Sequence, residues 1–462
     1  MARLAEATGA AREVRLPFAA VFATFAFLTL SYALSAGPFR SPDEYNHFFR
    51  SYHVSEGKLV AQQKPGGLLG DRLPASLTSA AKAAAGYPDV PPARTSSDQI
   101  RSSWLVRDDG ATLFTHFPGS GLYSPLAYLP SALGVRAGRI TGAPPLAFLY
   151  LGRICNALAG ALLLACAIRF LPEGVKPIGI LALFPTWLFQ MATLTPDAVT
   201  FGLMMLWIAL LLRMRANAEP LSRALWGGAV VLAACVSQLR LPFPLLVLLV
   251  FIVPRARFAT ALRAATFYAS VLIVAATPCL LWIALAAPLQ VPLRPGVITE
   301  PSRQLAAALA DPAHTFGLIA TNLWQNALRY WQEAIGTFSW LEVRLPWWLL
   351  LAFTVAAIGA MSASRPIEFA LTRRLRIMLI AAACAGVFAS ELLIYMHWNA
   401  FRAPHIEGYQ GRYLLPCLLL LALGCANNLL GRHARTVRRI AVGVCLVGNV
   451  GALIVLARAT WW

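Results

Sequence analysis

Long apolar runs, broken by short polar or arginine-rich pieces, fill almost the whole chain. They lie at roughly 16–36, 146–170, 177–194, 198–213, 224–240, 242–254, 264–288, 346–363, 377–398, 413–430 and 438–458. A helix of about 20 mainly apolar residues spans a bilayer. The pattern therefore predicts an all-α polytopic membrane protein with about 11–13 transmembrane helices, forming one transmembrane domain over 1–462. The stretch 122–139, with prolines at 125 and 130, reads as a short span or an interfacial helix. The first run is too long for a signal-peptide core and reads as an uncleaved span. Two connections exceed simple turns: 37–121 and 289–345. Loops of that length are usually functional or disordered. No internal repeat is visible.

Charge orients this set. Arg213, Arg215 and Arg223 share one short loop. Arg255, Arg257 and Arg263 share a second; Arg365, Arg373, Arg374 and Arg376 a third; Arg432, Arg435, Arg438 and Arg439 a fourth. The positive-inside rule places all four in the cytoplasm. The loops 37–121, 289–345 and 399–412, together with Asp197, then face outward, and Arg3, Arg12 and Arg15 hold the N-terminus inside. Counting an odd number of crossings between 121 and 195, this reading expects one piece of 122–194 to be re-entrant, broken or split.

Composition agrees: 58% of the 462 residues are hydrophobic and 13% charged, with a net charge of +19, and mean hydropathy is +0.63. Soluble domains run at roughly 45–50% apolar and 25% charged. The positive charge sits between apolar runs rather than on one soluble face, so nucleic acid is excluded as a partner. The eight cysteines lie in or beside apolar runs without a CxxC pair and read as small buried hydrophobes.

Four constellations carry possible chemistry. Ser41-Pro42-Asp43-Glu44 follows the first span. Ser41 suits an N-cap, Pro42 a first helical position and Glu44 the partner of a capping box. Capping does not explain His47, one turn beyond Asp43, or Arg50. The Asp43–Glu44 pair is a candidate general base or, with Asp197, a divalent-metal site; no confident metal site follows from spacing. Thr195-Pro196-Asp197 is both a good helix start and a second acid at the same predicted surface. Gln410-Gly411-Arg412-Tyr413 opens a late span: its guanidinium suits phosphate, and Arg and Tyr also anchor at headgroup level. Gly336-Thr337-Phe338-Ser339-Trp340-Leu341-Glu342 ends the second long loop, with Glu342 a candidate contact. Tyr123 precedes the weak segment. Arg153, inside an apolar run, is a candidate second phosphate contact or a structural ion pair.

Taken in order, Ser41-Pro-Asp-Glu44…His47-Phe-Phe-Arg50, Tyr123-Ser-Pro-Leu-Ala-Tyr128, Leu183-Phe-Pro-Thr186…Thr195-Pro-Asp197, Gly336–Glu342 and Gln410-Gly-Arg-Tyr-Leu-Leu-Pro416 resemble the signature of the bacterial domain of unknown function 2142 family over about 40–420. Thr195 stands where Asn is expected, and Ser124 where a second Pro is common. That family is similar to the GT-C class of membrane glycosyltransferases. The resemblance implies a GT-C-like fold in a bacterial inner (cytoplasmic) membrane, with a site facing the periplasm. The donor would be a polyprenyl-phosphate-linked sugar and the acceptor a saccharide, lipid or protein of the cell envelope. It sets Asp43 at the loop acid, with Glu44 and Asp197 as further catalytic acids. His47, Arg50, Tyr123, Arg153, Glu342, Gln410, Arg412 and Tyr413 are expected around the substrate. No cofactor is certain; a divalent metal ion is the open option. A transporter or flippase of a lipid-linked saccharide is the chief rival, and a non-catalytic scaffold the third reading.

Overall fold

The computed structural model describes residues 17–89, 94–216, 219, 221–294, 296–365 and 371–461; Arg3, Arg12 and Arg15 lie outside them. The chain opens with α1 (Phe18–Ser35). The first long loop carries α2 (Glu44–Ser55), β1 (Gln62–Lys64), β2 (Leu68–Pro74), α3 (Ala75–Ala85), α4 (Ser97–Leu105), β3 (Thr112–His116) and the single turn α5 (Pro118–Gly121). Then come α6 (Leu129–Ile140), α7 (Pro145–Phe170), a 3-10 segment Glu173–Leu183, α8 (Pro185–Ala192), α9 (Asp197–Ala216), α10 (Arg223–Val236), a 3-10 segment Phe243–Ile252 and α11 (Ala261–Ala286). The second long loop holds α12 (Pro301–Ala310), α13 (Pro312–Gln325), α14 (Ala327–Gly336) and a hairpin of β4 (Thr337–Phe338) and β5 (Val343–Arg344). The helices α15 (Trp347–Ser362), α16 (Arg373–Trp398), α17 (Leu415–Cys425) and α18 (Ala434–Trp461) complete the fold.

Among the described residues, six helices are long and apolar enough to cross a bilayer. Glu173–Leu183 and α8 form one further bent pair, and four shorter apolar helices remain. These eleven segments match the apolar runs of the sequence. The helix α6 does not add to them. Its 12 residues reach about 18 Å, against a hydrocarbon core of about 30 Å. Its Arg136 and Arg139 instead hold Ser55 and Glu56 at the end of α2.

The expected irregularity in 122–194 is the bent pair, which turns by 67°. Phe184 takes an extended ψ of 132° at the break, because a residue preceding proline is pushed out of the helical region. The odd number of crossings was a miscount. Two ends on one side of a bilayer need an even number, which α7 and the bent pair give when that pair is counted as one span.

The buried centre is α9, whose membrane-length window is 89% buried, whereas α11 is only 11% buried. Leu262, Ile273, Leu280 and Leu281 of α11 are exposed, as suits a helix whose solvent is lipid. The first long loop also contains structure absent from the sequence reading: β2 pairs antiparallel with both β1 and β3. Its core is aromatic, with Phe39, Tyr45, Phe48 and Phe49 buried together against Tyr87.

Candidate functional site

The acids at 43 and 44 are neighbours in sequence and opposites in environment. Glu44 and Arg153 are both fully buried. Arg153 donates from Nε and Nη2 to the Glu44 carboxylate at 2.8 and 2.6 Å. Its remaining N–H groups reach the carbonyls of Ala33, Ala36 and Gly37, which a helix C-terminus leaves without partners. All five donors of the guanidinium are thereby used. Glu44 also accepts from the backbone N–H groups of Leu194 and Ser41. The pair ties the end of α1, the start of α2, the middle of α7 and the turn after α8 to one point. This settles the two options for Arg153 in favour of the ion pair. No donor is left for a phosphate, and Glu44 has no free oxygen lone pair suited to a base or metal ligand.

Asp43 occupies the N-cap position of α2, yet it does not cap. Its backbone is left-handed (φ 60°, ψ 13°), and its carboxylate makes no capping hydrogen bond. Aspartate tolerates this conformation better than most residues. The consequence is a carboxylate turned away from the helix end. It keeps solvent access, although protein surrounds it closely enough for dehydration to raise its pKa from the ordinary value, with Arg412 pulling the other way. His47, one turn on, bonds through Nδ1 to the Tyr128 hydroxyl at 2.8 Å. Burial, reinforced by Arg412 and Arg240, pushes its pKa down to about 3, so the ring is neutral near pH 7.

Asp197 begins α9. Thr195 does the capping there, its hydroxyl accepting from the Asp197 N–H at 3.2 Å. The Asp197 side chain is buried, and neither oxygen receives a well-formed hydrogen bond. Arg240 Nη2 lies 2.9 Å from Oδ1 and forms an ion pair with it, without the geometry of a hydrogen bond. Arg412 reaches Gln190 Oε1 through Nη1 at 3.2 Å and leaves Nε without a partner. Both guanidinium groups stand over the Tyr413 ring, at 5.1 Å for Arg240 and 5.3 Å for Arg412. Arg412 interacts electrostatically with Asp43 and Asp197 together. Electrostatic interaction links Asp43 and Asp197 to Arg412, and Asp197 and Arg412 to Arg240. Buried polar atoms without hydrogen-bond partners are rare, and here both Asp197 oxygens, Arg240 Nη2 and Arg412 Nε are among them.

The family model for predicted membrane proteins of domain of unknown function 2142 matches residues 25–421. The chain belongs to this family. No curated protein and no solved structure matches it. Among the family motifs present here, several serve to hold rather than to face the open cluster. Arg50 is fully buried and donates to His53 Nδ1 and to the carbonyls of Leu59 and Tyr123. Glu342 pairs with Arg40, and Trp340 donates to the Phe39 carbonyl at 3.2 Å. These contacts clasp the second long loop to the first. Phe39, Ser339 and Leu341 all have positive φ there, so the turns are strained and over-determined by their packing. Tyr123 does face the cluster: its hydroxyl feels Arg240, Tyr413, Asp43 and Asp197, and burial raises its pKa. Gly411 is required by close approach, since a Cβ would stand 2.1 Å from the Tyr330 carbonyl.

Sequence reasoning missed Arg240 and Gln190 as site residues of this domain of unknown function 2142 protein. Arg240 sits alone between two apolar runs, away from the arginine-rich loops, and that isolation was its available signal. Among the described residues no group of three or more His, Cys, Asp or Glu is arranged to hold a metal ion, and Asp43, Glu44 and Asp197 do not form such a group. An apolar groove of about 330 Å³ lies between α13, α16 and α17, with Ile319, Val387, Leu414 and Leu421 in its lining.

Proposed function

We propose that this protein is a membrane glycosyltransferase. It moves a sugar from a polyprenyl-phosphate donor to a cell-envelope acceptor at the external face of a bacterial inner membrane. The observation that carries the reading is the non-capping, solvent-reached Asp43 opposite Arg412 and Arg240. An acid with a raised pKa suits a general base. In the reaction, Asp43 takes the proton of an acceptor hydroxyl as that oxygen bonds to the sugar's anomeric carbon. The bond from that carbon to the phosphate oxygen breaks, and the phosphate leaves with the electron pair. Arg412 Nε, which has no hydrogen-bond partner, and Arg240, ion-paired to Asp197, supply positive charge where negative charge develops. Asp197 sets the position of Arg240, and inversion at the anomeric carbon follows from a single displacement. The apolar groove at Leu414 takes the first isoprene units.

A transporter of the same lipid-linked saccharide is favoured by one feature, the buried Glu391 of α16. That acid is answered by Asn322, whose amide reaches both carboxylate oxygens at 2.9 and 3.0 Å. The deciding experiment compares transfer from radiolabelled polyprenyl-phosphate sugars by purified wild-type, Asp43→Asn and Arg412→Ala proteins. Transfer by wild type and its loss in both variants is expected. Transfer unchanged in both variants overturns the assigned roles.

A further inference from the structure

A second cleft, of about 650 Å³, lies between the end of α1 and the last turns of α18. Its lining is Ser35, Arg94, Val450, Leu453, Ile454, Ala457 and Arg458. Four of these are apolar and recur three and four residues apart on α18, so they form one continuous helix face. Val450 is 55% and Ile454 48% exposed, so that face is open to the bilayer. Above it stand two guanidinium groups and no carboxylate. Neither Arg94 nor Arg458 has a hydrogen bond or ion pair among the described residues.

The cleft is built from fastened parts. Trp461 Nε1 donates to the Ser35 carbonyl at 2.8 Å, and the Thr95 N–H donates to the Thr460 carbonyl at 2.9 Å. Gly37 sits so close that a Cβ would meet Thr460 and Thr95 at 2.7 Å. The end of α1, the end of α18 and the segment bearing Arg94 are thus held together. The two arginines also break the charge pattern of the chain. The helix α18 begins among Arg432, Arg435, Arg438 and Arg439, and Arg458 lies at its opposite end. The bland account of Arg458 is helix-dipole compensation. It does not explain why Arg94, from a different loop, points into the same cleft.

From these observations we infer that the cleft binds one anionic phospholipid. The phosphodiester sits between Arg94 and Arg458, with Ser35 beside it, and an acyl chain lies along Val450, Leu453, Ile454 and Ala457. A zwitterionic headgroup fits less well, because its amine finds no acid in the lining. A free phosphate would leave the apolar face uncovered. The site is separate from the Asp43 cluster, and the inference does not rest on the glycosyltransferase reading.

The test uses the purified full chain, delipidated in detergent and titrated with phosphatidylglycerol or phosphatidylcholine, with bound lipid counted by native mass spectrometry. Wild type is expected to hold one phosphatidylglycerol in preference to phosphatidylcholine. Arg94→Ala/Arg458→Ala should weaken it about 10–30-fold, as two basic side chains near a charged surface are worth about 1 kcal/mol each. Ile454→Asp, which keeps both arginines, should also lose the lipid. Equal retention of both lipids by wild type, or wild-type retention by the double variant, overturns the inference. So does displacement of the lipid by millimolar inorganic phosphate, which would mark a simple anion site.

Discussion

Two arginine–carboxylate centres lie within one residue of each other along the chain, and they are built on opposite principles. At Glu44–Arg153 every donor and acceptor is matched. At Asp43, Asp197, Arg240 and Arg412 charges balance, but hydrogen bonds do not. A matched buried pair resists change, because removing either partner strands a charge. An unmatched set has capacity left for a ligand. The difference teaches that a buried charge is assigned a role by how its bonds are used, not by its presence.

That contrast can be broken by substitution. Asp43→Asn should lower transfer about 10²–10⁴-fold, the usual weight of a general base, while thermal unfolding of the purified protein stays near wild type. Equal loss of stability would merge the two centres into one. Glu44→Gln leaves Arg153 buried without its counter-charge and should destabilise the fold by about 3–5 kcal/mol, read as a large fall in Tm or in yield of monodisperse protein. A stable, inactive Glu44→Gln protein would move Glu44 into the open cluster.

Arg240→Lys should reduce transfer by about 10-fold or more, since lysine keeps charge but lacks the planar fork; unchanged rates would confine Arg240 to holding Asp197. The pH dependence sharpens the comparison further. Folding holds the His47 pKa at about 3, against an ordinary value of about 6.5. Between those values the unfolded chain takes up a proton that the folded chain refuses, so stability falls as pH drops through that window. His47→Gln should flatten the dependence of Tm on pH there. The smallest effect concerns the groove. The exposed Cys384 lines it, and polyprenyl phosphate should slow its maleimide labelling a few-fold relative to a Cys384→Ser background.

Much of this was readable beforehand because bilayer physics writes itself into composition. Eleven apolar runs became eleven segments, but which piece of 122–194 is broken was not read from the sequence. Arg412 was legible because it opens an apolar run with no adjacent charge, and Asp43 because a capping box accounts for only one acid of the Asp43–Glu44 pair. The role of Glu44 was not. Its local pattern is that of a capping box, and the Arg153 that claims it lies 109 residues away. The small sheet was hidden for a related reason: Gln62–Lys64 is polar, exposed and stabilised by pairing with β2 rather than by its own residues.

The bend at Phe184 has one further consequence. The short arm after it, α8 and the turn it leads into, touches both centres: Gln190 meets Arg412, and the Leu194 N–H meets Glu44. A straight rod could tilt in the bilayer and disturb one end at a time. A cranked arm, buried along its whole length, contacts both the Glu44–Arg153 lock and the charged cluster through one rigid piece. The spacing between the matched pair and the unmatched charges is therefore set by a single eight-residue helix and the turn that follows it.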